Sequence, residues 1–148
     1  MNTNVTDTED KIYNSAAVGR SIKDRIISEA KKRGLECGHS GHSDMLWKSD
    51  VWIVKENKRY CLEIKVCNTS GGTHKNCCSP FKNALGCGVS WKKRGFIPSF
   101  LFLDGVSGAN GTEHDHLVEE LESFGIKTKV IVRIPRDKQC ADLLEWML

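Results

Sequence analysis

Val18, Ile22, Ile26, Ile27 and Ala30 recur at helical spacing between Ala17 and Arg33, and Gly34 follows them. That stripe predicts an amphipathic helix with a glycine stop. Leu35 to Trp47 is rich in Gly, His and Ser and predicts a short strand followed by a loop. The pattern then changes period. VWIVK after Asp50 and RYCLEIKV at 59–66 are apolar strands, and the charged KENK between them predicts a tight turn centred on Asn57.

VCNTSGGTHKNCC at 66–78 predicts a polar insertion. Ser79-Pro80 looks like an N-cap followed by a first-turn proline, opening a helix to about Lys93 that Gly95 ends. Pro98–Leu103 is a continuous apolar run, the mark of a buried central strand. DGVSGANGT lacks the lysine and spacing of a phosphate-cradling loop and is expected to be a surface connection. Thr112–Asp115 resembles a capping box for a helix through Phe124, stopped by Gly125. Lys127–Ile134 alternates as an edge strand, Pro135 breaks it, and Ala141–Leu148 predicts a last amphipathic helix. Its Leu143, Leu144, Trp146 and Met147 need burial on this domain or on a partner.

This order gives an α/β fold with a mixed central sheet flanked by helices on both faces. At 148 residues the chain is one domain's worth, with residues 1–14 expected to form a flexible terminus, a core over about 17–134 and a C-terminal helix. The polar, acidic start resembles no secretory signal, and no apolar run is long enough to cross a bilayer. A cytoplasmic or nucleoid location is the expectation. Seven cysteines, an odd number, then read as reduced thiols. Cys37-Gly-His39-Ser-Gly-His42 and Cys77-Cys78 match no usual zinc-ligand spacing.

Chemistry concentrates on the hairpin. Side chains alternate along a strand, so Glu63 and Lys65 share one face while Leu62, Ile64 and Val66 take the other. Folding at Asn57 brings Asp50 beside them. Two hard carboxylates suit Mg²⁺, which lowers the pKa of an attacking water and neutralises charge on a phosphodiester. A lysine there can hold the nucleophile or the scissile phosphate. The alternative is a solvated strand face with a cross-strand ion pair, but the apolar character of both strands argues against an exposed ribbon.

Asp50 followed by Glu63-Ile64-Lys65 resembles the PD-(D/E)xK nuclease superfamily, with Ser49 where the motif's often-missing proline would stand. The resemblance implies an αβββαβ restriction endonuclease-like core, Asp50, Glu63 and Lys65 as catalytic residues, and Mg²⁺, or Mn²⁺ in its place, on Asp50 and Glu63 with the Ile64 backbone carbonyl as an extra ligand. Many members carry a first-helix glutamate in a pattern like Gly-x-x-Phe-Glu. Here Gly19-Arg20-Ser21-Ile22 leads to Lys23, which leaves Asp24, or Glu29 further along, as a substitute acid.

A net charge of +3 permits nucleic-acid binding, and basic residues flank the proposed site in sequence. His42, Thr69, Ser70, Lys75, Lys82, Lys92, Lys93 and Arg94 are the candidate DNA contacts. The reading is a small homodimeric Mg²⁺-dependent DNA endonuclease of restriction or homing type. Its rivals are a structure-selective junction or repair nuclease and a noncatalytic DNA-binding domain that keeps the fold.

Overall fold

Ile22, Ile26, Ile27 and Ala30 form a buried stripe along helix α1 (Ser15–Lys32), because residues three and four apart share a helix face. Each fully buried isoleucine contributes roughly 1.5–3 kcal/mol of transfer free energy. The computed structural model describes residues 15–66, 73–103, 111–131 and 135–148. Gly34, at φ 74°, closes α1: its N–H reaches the Lys31 carbonyl and the Leu35 N–H reaches that of Ala30. These two bonds satisfy carbonyls that the helix end leaves free.

Strands β1 (Glu36–His39), β2 (Val51–Lys55), β3 (Lys58–Val66), β4 (Phe96–Leu103) and β5 (Lys127–Ile131) make one sheet in the order β1-β2-β3-β4-β5. The β1/β2 and β2/β3 pairs are antiparallel, whereas β3/β4 and β4/β5 are parallel. Helices α2 (Thr73–Lys93) and α3 (Gly111–Ser123) follow β3 and β4 as crossovers, and α4 (Asp137–Met147) ends the chain. The succession α1-β1-β2-β3-α2-β4 is the αβββαβ order expected from sequence.

Two apolar layers cover the sheet. On one face α1 and α4 pack over Val51, Ile53, Tyr60, Leu62, Leu101 and Leu103. On the other, Phe81, Ala84 and Trp91 of α2 and Leu121 of α3 pack over Cys61, Phe96, Phe100 and Phe102. Alternate residues of β3 and β4 thus serve opposite cores. Gly88 lets α2 approach Ile126, the residue that precedes β5, since a Cβ there would sit 2.5 Å from Ile126 Cδ1.

Three of the boundaries that differ from the sequence expectation are informative. Helix α2 starts at Thr73, so Ser79-Pro80 lies inside it rather than at its N-cap. The proline removes one N–H from the helical ladder, but no Gly or Pro lies between Gly72 and Pro80 to stop the helix earlier. Helix α4 starts at Asp137 instead of Ala141. Its polar first turn carries no apolar signal, yet the Gln139 side chain accepts the Arg136 N–H at 2.7 Å and Asp137 suits the positive end of the helix dipole. Strand β4 begins two residues before Pro98, at Phe96. Leu143, Leu144 and Met147 of α4 are buried against α1 and the sheet of this same domain. No helix among the described residues is long and apolar enough to cross a membrane.

Candidate functional site

The β2–β3 turn sets the geometry. Glu56 and Asn57 both adopt positive φ, 53° and 66°, and Lys55 pairs with Lys58. Two such residues make a type I′ turn, whose twist matches that of the strands. Register then places Val51 opposite Leu62, so Asp50 meets Glu63 where the hairpin opens.

At that point the two carboxylates are tied into each other's strands. Asp50 Oδ2 accepts the Ile64 N–H at 2.8 Å, and Glu63 Oε1 accepts the Asp50 N–H at 3.0 Å. Lys65 Nζ lies 3.4 Å from Glu63 Oε2. The Glu63 and Lys65 side chains are only 18% and 24% exposed. Burial and the neighbouring Asp50 charge push the Glu63 carboxyl up to about 7, against the opposing pull of the Lys65 ammonium. One ammonium therefore does not compensate two adjacent carboxylates in a partly dry site.

Cysteines complete the surroundings. Cys61, two residues before Glu63 on the same face of β3, is buried, and burial together with the Glu63 charge raises its thiol far above the ordinary range. Cys87 approaches from α2. Burial raises its thiol as well, with Lys65 and Glu63 close enough to bias it in opposite directions. Strand alternation alone puts Cys61 on the Glu63 face, whereas the approach of Cys87 depends on how α2 packs.

The donor set suits a hard divalent cation. Asp50 and Glu63 supply carboxylate oxygens, and Mg²⁺ is commonly held by one or two carboxylates with its remaining positions filled by water. Excess negative charge between them is what such an ion relieves. Ile64, proposed as a backbone ligand, gives its N–H to Asp50 and turns its side chain into the α1 layer. Asp24 does not join them. It is exposed on α1 and lines a groove with Ser28, Lys31 and His39. Among the described residues no group of three or more His, Cys, Asp or Glu side chains is assembled to hold a metal.

Several of the described candidate DNA contacts are engaged within the fold. His42 is a packing residue: its ring stands edge-on to Trp52 and Phe96, with centroids 4.9 and 5.3 Å away, and its Nδ1 accepts the Asp44 N–H at 3.1 Å. Arg59 stands over the Phe96 ring, 4.2 Å from its centroid, and pairs with Asp44. Lys92 Nζ caps α3 through the Phe124 carbonyl at 2.8 Å, and Arg94 Nη1 donates to the Asp44 carbonyl at 3.1 Å. Lys82 and Lys93 are exposed on α2. Thr69 and Ser70 lie outside the described residues, as does the Lys75 side chain. Of the candidate zinc ligands, Cys37 packs in the α1 layer, His39 is exposed and His42 sits among aromatic rings, while the Cys77 and Cys78 side chains lie outside the described residues.

No family model matches the chain, and no curated protein matches it. A solved structure to which the fold is similar is the crystal structure of a protein of unknown function, AF1548, at a TM-score of 0.47 and 14% identity. The likeness covers 74% of this chain, which spans only 57% of that protein.

Proposed function

We propose that this protein is a Mg²⁺-dependent DNA endonuclease. The observation that supports it is the opposition of Asp50 and Glu63 at the mouth of the hairpin, with Lys65 ion-paired to Glu63 beside them. Asp50 and Glu63 would hold the cation, which when bound supplies charge neutralisation on the phosphate and a more acidic water. The N–H of Ile64 fixes the Asp50 carboxylate, so receiving a cation there would need little reorganisation. Lys65 carries three donors and spends one on Glu63, leaving two for a phosphate oxygen or an attacking water. Partial burial of both side chains strengthens these contacts by excluding solvent.

The modest positive charge fits an enzyme that reads a short sequence better than one that clamps the backbone of branched DNA. A homodimer would present two such sites to two strands. Purified protein incubated with supercoiled plasmid and Mg²⁺ tests this. Discrete linear products are expected, and Lys65→Ala or Glu63→Ala should lower the rate by roughly a hundredfold or more. Equal cutting by wild type and both variants overturns the assignment. Cutting of junctions or flaps but not plasmid would make the enzyme structure-selective, and silence on all substrates would leave a noncatalytic binding domain.

A further inference from the structure

Leu46, Trp47 and Val89 are 57, 51 and 38% exposed, and they are three of the four large hydrophobic side chains left exposed among the described residues. All three line one groove of about 460 Å³ between the β1–β2 loop and α2, with Gly86, Lys93 and Arg94 around it. The platform is held in place. Trp47's backbone carbonyl accepts the Trp91 indole N–H at 2.7 Å, and Trp91 is buried under α2. Its own ring is left facing solvent three residues before Asp50.

An occupant must match both the aromatic face and the charge. Lys93 and Arg94 line the groove, Lys48 belongs to the same loop, and the carboxylate beside them, Asp44, is already paired with Arg59 of β3. A second copy of this chain fits poorly. Three apolar side chains fall far short of the roughly 20–30 residues a side of a stable interface, and a two-fold contact would bring like charges together. A nucleic-acid strand suits it better. Phosphates meet the cations while a base stacks on the indole, and stacking tolerates any base because every base has a π-face.

We propose that the Trp47 groove receives an unpaired nucleobase from the strand bound at the Asp50–Glu63–Lys65 site. The link to a strand being cut rests on the nuclease reading; the base-binding groove itself does not. Binding of an oligo-dT strand, an abasic strand of equal length and a blunt duplex, all in EDTA, tests it. Trp47→Ala should weaken oligo-dT binding roughly tenfold or more while leaving the abasic strand and the duplex nearly unchanged. Trp47→Phe should retain most of the affinity, and both variants should keep the wild-type melting temperature because the anchoring bond is a backbone one.

Equal losses for all three ligands, or none for any, would overturn the proposal. So would displacement of oligo-dT by polyglutamate with the same dependence on Trp47, which would indicate an acidic protein partner. Plasmid cutting without Trp47-dependent base binding overturns this inference and leaves the nuclease intact. Trp47-dependent base binding by a protein that cuts no DNA supports the groove and overturns the nuclease reading.

Discussion

Glu63 accepts the backbone N–H of Asp50, and Asp50 in turn accepts the N–H of the residue after Glu63, so each carboxylate pins the other's strand. The arrangement has a pH signature. In the unfolded chain the Glu63 carboxyl titrates near 4.5, but in the folded chain near 7. Between those values the native state binds more protons, so stability falls as pH rises through the window, by about 3 kcal/mol in all, and is flat above it. Glu63→Gln cannot ionise and removes that slope, so the variant should overtake wild type near neutral pH. Urea unfolding from about pH 4.5 to about pH 8 measures the slopes, and parallel profiles for the two proteins would contradict the expectation. Added Mg²⁺ should flatten the wild-type profile.

His42 is a stability residue. Removing its ring deletes two edge-on aromatic contacts and the acceptor for the Asp44 N–H. His42→Ala should cost about 1–3 kcal/mol in chemical denaturation. DNA affinity, measured well below the melting temperature, should change by less than about twofold. A stable variant with weakened DNA binding would return His42 to the interface.

Two glycines of α2 make opposite predictions. Gly88→Ala forces a methyl to within 2.5 Å of Ile126 Cδ1 and should cost about 1–3 kcal/mol. A methyl at Gly86 would meet nothing within 4 Å, so Gly86→Ala should stabilise α2 by up to about 1 kcal/mol. Thermal unfolding of the two variants side by side decides it, and shifts of the same sign would mean that α2 packs differently.

Local signals were legible where they lay close in sequence. The apolar stripe of α1, the Glu56-Asn57 turn and the register that opposes Asp50 to Glu63 depend on residues at most a dozen or so apart. His42 was unreadable because its partner Phe96 lies 54 positions away, and a glycine-rich loop gives no hint that it folds over the sheet. The first turns of α2 escaped because Thr73–Ser79 has no apolar period, and a proline usually starts a helix rather than interrupting one. Cys87 escaped because only packing brings α2 over the strand.

Strand β3 hands Tyr60, Leu62 and Ile64 to one core and Cys61, Glu63 and Lys65 to the other side. A pairing slip of one residue would exchange those roles, driving a carboxylate and an ammonium under α1 and leaving three apolar side chains in the site. Misaligned chains would thus lack both a sound core and the carboxylate–lysine cluster at once. Assembly of Asp50, Glu63 and Lys65 and correct strand alignment are therefore a single property of this protein, acquired together when the hairpin docks.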